Sequence, residues 1–226
     1  MSPATNTRRW WVIGAVVVVL VVAIAIAAAS GGDSSSSGSS APNAKQETAS
    51  VKVEGTPLPA FTQTKNDPAI GDTAPTLVGE GFEKQPVTIA PSGKPQVVLF
   101  VAHWCPHCQA EVPRIVALAK SGAFDGIDVS TVATGTSEQA PNYPPSAWLA
   151  GVKWPFTVML DDTKGTAGQA YGLPSYPYFV FLDGDGKVLA RATGEIAPSD
   201  LQGILDDLRA GKALVPASSG ASSPAS

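Results

Sequence analysis

The feature that most limits how this chain folds is the run Gln96-Val97-Val98-Leu99-Phe100-Val101-Ala102, which leads directly into His103-Trp104-Cys105-Pro106-His107-Cys108. Consecutive apolar, β-branched residues do not alternate between a wet and a dry face, so the run predicts a strand covered on both sides, near the centre of a sheet. The only two cysteines of the 226-residue chain follow it at CxxC spacing. If a helix starts at that point, the first thiol meets unpaired backbone N–H groups and the positive end of the helix dipole, and both stabilise a thiolate. Thiols in CxxC pairs have pKa values lowered to about 3.5–7.5, so the pair is expected to be redox-active. Structural thiols or half of a zinc site are the alternatives. A tetrahedral site needs four ligands, and the only histidines, His103 and His107, fall in the same short stretch as the cysteines. Covalent haem attachment would need His after the second cysteine, where this chain has Gln109.

Upstream, Arg8-Arg9 precede the uncharged stretch Trp10–Ala29. As a helix its 20 residues reach about 30 Å, the thickness of a hydrocarbon core. Positive charge lies before the stretch and none follows until Lys45, so residues 1–9 are expected in the cytoplasm, 10–29 in the membrane and the rest outside. A cleaved signal peptide is the competing reading, with small residues at Ala27-Ala28-Ala29, but its apolar core would exceed the usual length. Residues 30–50 are mostly Ser, Gly and Ala and read as a flexible tether; 216–226 reads as a disordered tail. Between them, 51–215 fits one domain with one core. A net charge of −4 without a basic cluster gives no sign of nucleic-acid binding.

Within 51–215, Cys108 to Lys120 shows near-helical apolar spacing with Pro113 inside it, which predicts a kinked helix. Strands are expected at Ile127–Ala133 and in the run Trp154–Leu160, with short helices near Pro145–Ala150 and Gly165–Tyr171. Tyr178–Leu182 and Val188–Ala192 flank Asp183-Gly184-Asp185-Gly186 as a hairpin, and Leu201, Ile204, Leu205 and Leu208 form the stripe of a last helix. Alternating elements closed by a hairpin and a helix give an α/β domain with a mixed sheet.

These residues carry a resemblance. Val98 through Cys108 resembles the active-site strand and helix start of the thioredoxin-like family, and Gly71-Asp72-Thr73-Ala74-Pro75 is similar to the opening element of its membrane-anchored, extracytoplasmic TlpA-type members. Pro113 falls where thioredoxins kink this helix, and Tyr176-Pro177 maps onto the segment with the family's cis-proline. The likeness covers about 71–211. It implies a thioredoxin-like fold, a central mixed sheet flanked by helices, here preceded by one transmembrane helix. It implies a thiol–disulfide oxidoreductase that needs no cofactor beyond the redox-active disulfide Cys105–Cys108. Cys105 would attack, Cys108 would resolve the mixed disulfide, Trp104 would pack beside the pair, and Tyr176 with Pro177 would receive an extended substrate chain. The implied partners are exported proteins with thiols or disulfides and a membrane redox protein.

Two departures bear on direction. Reducing thioredoxins have a buried Asp six residues before the first cysteine; here that residue is Leu99, unless Glu111 substitutes for it. The dipeptide Pro106-His107 resembles that of DsbA-type oxidants, in which the His stabilises the reduced form. Together they point to oxidation, with reduction of haem-attachment cysteines in cytochrome c maturation as the alternative. A peroxiredoxin-like peroxidase is disfavoured by Ala102, where that family has Thr or Ser, and a copper chaperone by the lack of any His beyond 107. His103 reads as a surface loop residue.

Overall fold

The computed structural model describes residues 45–214. The expected cytoplasmic segment (1–9), membrane span (10–29), the tether up to residue 44 and the tail (216–226) lie outside the described residues. Among the described residues, no helix is long and apolar enough to cross a membrane.

Six of the seven residues of the run form the strand Gln96–Val101, which we label β4, and all six are buried. It is the middle strand of a five-stranded sheet. The parallel strands β5 (Asp128–Ala133) and β6 (Thr157–Leu160) lie on one side, and the antiparallel β7 (Tyr178–Leu182) and β8 (Val188–Thr193) on the other. Alternation divides its side chains between two cores. Val97, Leu99 and Val101 pack with residues of the helices α1 (Pro106–Lys120) and α4 (Pro198–Arg209). Val98 and Phe100 join Leu58, Phe61, Leu77, Tyr171 and Tyr178 on the opposite face. Two short helices, α2 (Pro145–Gly151) and α3 (Thr166–Ala170), fall on either side of β6 in sequence. Leu201, Ile204, Leu205 and Leu208 form the buried stripe of α4, as their spacing predicts.

Helix α1 starts at the CxxC because the chain there has both entry features. Cys105 is extended (φ −75°, ψ 121°) at the N-cap, and Pro106 occupies the first turn, where its missing N–H costs nothing. Cys108, Glu111, Val112, Ile115 and Val116 form the buried face, so the 3–4 residue spacing turns Cys108 inward. The helix runs through Pro113, which lies on the exposed face.

The three-stranded antiparallel sheet of β1 (Lys52–Glu54), β2 (Thr76–Glu80) and β3 (Pro86–Ile89) is absent from the sequence reading, because its strands are too short to show a period. The tether boundary at residue 50 also needs correction. Gln46 N–H donates to the Phe82 carbonyl at 3.1 Å and Ala49 N–H to the Asp161 carbonyl at 3.3 Å, while the Glu47 carboxylate accepts from Ser146. Polar residues with nothing to bury are held here by hydrogen bonds to distant loops, which composition does not reveal. Further on, Arg191 of β8 forms a fully buried ion pair with Asp67, donates to the Pro59 carbonyl at 2.8 Å, and lies over the Phe61 ring at 5.3 Å. It fastens the segment before β2 to the sheet.

Candidate redox site

The cysteines are free thiols at the start of α1, with Cys105 6% and Cys108 0% exposed. Cys105 N–H donates to the Ala102 carbonyl at 3.1 Å, and the Cys105 carbonyl accepts from Gln109 N–H at 3.0 Å. The loop thus tightens just before the helix and brings Cys105 to its outer end. The Cys105 thiol donates to the Tyr176 carbonyl at 3.7 Å across the gap to the β7 side, and the Tyr176–Pro177 bond is cis. Burial drives the Cys108 thiol pKa far above its ordinary value; the Ala102 backbone opposes this, and the charges of Cys105 and Glu111 add to it. The two sulfurs therefore differ in kind: one lies at a helix start near the surface, and the other stays protonated until a base takes its proton.

Trp104 and Tyr176 make an aromatic wall beside Cys105. Their rings meet edge to face at 5.7 Å and 88°. Trp104 Nε1–H donates to the Gly135 carbonyl at 2.7 Å, just beyond the end of β5. Gly135 has φ +61°, and a Cβ there would come 2.8 Å from the Tyr176 hydroxyl, so only glycine fits without movement. Burial raises the Tyr176 phenol pKa.

His103, expected on the surface, is instead 1% exposed. Its Nδ1–H donates to the Pro141 carbonyl at 2.7 Å, and its Nε2 accepts from Ser137 N–H at 3.2 Å, a pattern that assigns the neutral ring. Its carbonyl accepts from Gln109 Nε2 and Asn142 Nδ2, both at 3.3 Å. Because it is bonded on every side, it ties the loop after β5 to the cysteine loop. A polar residue beside a CxxC reads as exposed from sequence, since the hydrogen-bond partners of its ring, Pro141 and Ser137, lie over 30 residues away.

The rest of the site is charged. His107 Nδ1–H donates to Glu195 Oε1 at 2.8 Å, and Arg114 Nη1 donates to Glu195 Oε2 at 2.6 Å. The Glu195 carboxyl pKa is lowered, chiefly by the His107 hydrogen bond and then by Arg114 against the cost of burial. Arg114 Nη1 also lies 3.4 Å from Glu111 Oε2, and Glu111 Oε1 accepts from Ile196 N–H at 3.3 Å. Glu111 is 0% exposed, and its pKa is raised by that burial. Leu99, where an acid is expected in a reducing thioredoxin, is buried among apolar side chains.

The structure thus brings Cys105, Cys108, Trp104 and Tyr176 together, with Pro177 following Tyr176 across a cis bond. Pro106 and His107 are exposed on the first turn of α1, and the His107 ring is engaged by Glu195. Sequence reasoning missed Glu195, Arg114 and Gly135. Glu195 has no motif around it, and its partners stand 88 and 81 residues away. Among the described residues, no group of three or more His, Cys, Asp or Glu is arranged to hold a metal ion.

The family model described as Redoxin matches residues 53–208. The thiol:disulfide interchange protein HelX of Rhodobacter capsulatus is 29% identical over 163 residues, covering 68% of this chain and 88% of HelX. The thiol-disulfide oxidoreductase ResA of Geobacillus thermodenitrificans is 26% identical over 150 residues, covering 66% of this chain and 83% of ResA. Among solved structures, the thioredoxin domain of a thiol-disulfide oxidoreductase from Bacteroides vulgatus superposes with a TM-score of 0.52 at 19% identity, over 62% of this chain and 98% of that one. That likeness shows the thioredoxin-like fold.

Proposed function

Because this chain belongs to the Redoxin family, as a TlpA-type thiol–disulfide oxidoreductase of thioredoxin-like fold, we propose that it exchanges disulfides with exported proteins while tethered outside the membrane by residues 10–29. The observation that carries this reading is the stacking of three groups: Cys105 at the helix start facing the Tyr176 carbonyl, Cys108 behind it, and the buried Glu111 one turn further along α1.

In the reducing direction, the Cys105 thiolate attacks one sulfur of a substrate disulfide, and the other substrate sulfur leaves as a thiolate. Glu111 takes the proton from the Cys108 thiol. Cys108 then attacks Cys105 Sγ, closing the Cys105–Cys108 disulfide and releasing the second substrate thiolate. Two electrons pass to the substrate, and the oxidant cycle is the same sequence reversed. Pro106-His107 favours the reduced form of the pair and with it net oxidation of clients, which is our first reading. Glu111 favours a second one, net reduction, including that of haem-attachment cysteines, because it supplies the buried base that Leu99 does not.

Glutathione equilibration of the full chain separates the two. A reduction potential above about −180 mV supports the oxidant, and one near or below about −270 mV supports the reductant. Cys108→Ala is expected to trap a mixed disulfide between Cys105 and an exported protein; failure to trap any, with Cys105 still alkylated by iodoacetamide, would overturn the exchange reading.

A further inference from the structure

Glu195, on the connection between β8 and α4, holds two side chains at once: one oxygen takes His107 at 2.8 Å and the other the Arg114 guanidinium at 2.6 Å. The same Arg114 nitrogen is 3.4 Å from the inner carboxylate Glu111, near the outer limit of a hydrogen bond. One cation therefore stands between an outer and an inner carboxylate, and it is closer to the outer one. Glu195 is 31% exposed in its side chain and Glu111 0%, so the inner, desolvated acid is the one left short of its counter-ion.

We propose that Glu195 is a positioning residue for thiol exchange: by anchoring His107 and drawing Arg114 towards the surface, it leaves Glu111 able to carry the proton of Cys108. The inference rests on the exchange reading above and deepens it.

Electrostatics fixes the sign. Without the Glu195 charge, the nearest anion to Arg114 is Glu111, and their attraction grows as the distance closes. An opposite charge at short range favours the ionised carboxylate, and the loss of the neighbouring negative charge does so as well. Burial is the largest influence raising the Glu111 pKa; the Ile196 N–H and then Arg114 oppose it, and Glu195 adds to it. The groups facing Glu111 that carry or can acquire charge are Cys108 and Arg114 on α1 and Glu195 on the β8–α4 connection, with His107 acting through Glu195. On this side of the sheet β4 presents Leu99 and Val101, β7 presents Phe179 and Phe181, and α4 presents Leu201 and Leu205, none of which titrates.

The test compares Glu195→Gln and Arg114→Met in the full chain, held in detergent micelles. Two quantities are followed against pH: the rate of exchange with a peptide disulfide, and the ¹³C resonance of the Glu111 carboxyl. In Glu195→Gln both the acid limb of the rate profile and the Glu111 titration are expected to move to lower pH. The plateau should fall about threefold for each pH unit moved, taking a Brønsted coefficient of about 0.5. In Arg114→Met both are expected to move to higher pH. A residue that merely stabilises the fold would lower the rate without displacing either curve. Titrations that stay put in both variants, or move the same way, overturn the role of Glu195. A wild-type chain that exchanges nothing while Glu111 shifts as described overturns the exchange reading instead.

Discussion

Gly135 links Trp104 and Tyr176, and replacing it by alanine isolates what that link contributes. Two costs apply. At φ +61° an L-residue in the left-handed region costs about 1–2 kcal/mol, less roughly 0.4–1 kcal/mol regained from a stiffer unfolded chain. The second cost is local: the new Cβ lies 2.8 Å from the Tyr176 hydroxyl, so the phenol must swing aside. Displacing that ring off its rotamer costs about 0.5–1.5 kcal/mol. Loosening the 2.7 Å bond from Trp104 Nε1 to the Gly135 carbonyl costs about as much again. Gly126 provides the control, since it has φ +79° and nothing within 4 Å of a built Cβ, so its alanine variant bears only the first cost.

Gly135→Ala is therefore expected to destabilise by about 1–3 kcal/mol more than Gly126→Ala. For a domain of this size each kcal/mol lowers Tm by about 2–4 °C, which calorimetry resolves. In a Tyr176→Phe background the hydroxyl is gone and the nearest ring atom is at 3.5 Å, an ordinary contact, so the excess should vanish. Peptide-disulfide exchange should slow in Gly135→Ala, because Tyr176 supplies the carbonyl that receives the Cys105 thiol. If the two alanine variants melt together, or the excess survives in the Phe background, the wall is not held through Gly135.

Three further outcomes follow from the same geometry. Arg191→Met strands the buried Asp67 carboxylate and is expected to cost about 3–5 kcal/mol in urea unfolding, while Asp67→Asn added to it should recover much of the loss; no recovery would mean the Arg191 stem, rather than the pair, does the holding. Because burial raises the Glu111 pKa, the native state keeps that proton longer than the unfolded chain, so stability falls as pH rises from 4.5 towards the native value; Glu111→Gln should flatten this decline, and an unchanged slope would refute it. Iodoacetamide at neutral pH should label Cys105 and spare Cys108, whose thiol is both buried and held protonated; equal labelling by mass spectrometry would contradict the asymmetry.

What could be read from the sequence followed from how locally each feature is specified. The central strand, the cysteine-bearing helix start, the hairpin at Asp183–Gly186 and the stripe of α4 are each set by residues within one run or one period, and each stands where the run or period put it. The N-terminal sheet was invisible because strands of three to five residues hold too few alternations. Lys45–Ser50 and His103 were misplaced for a shared reason: their polarity is satisfied by backbone and side-chain partners far along the chain, and polarity alone reads as exposure. The buried acid on the same helix face as Cys108 shows the same limit at the centre of the site. Position 99 lies on β4 and position 111 on α1, yet both side chains point into the core that Cys108 shares, so an acid lost from the strand can be supplied by the helix. A linear motif compares like positions and registers only the loss at Leu99. The fold, by packing α1 against β4, brings the two positions to one core, where burial raises the pKa of Glu111 and the Ile196 N–H and Arg114, itself held by Glu195, oppose that rise.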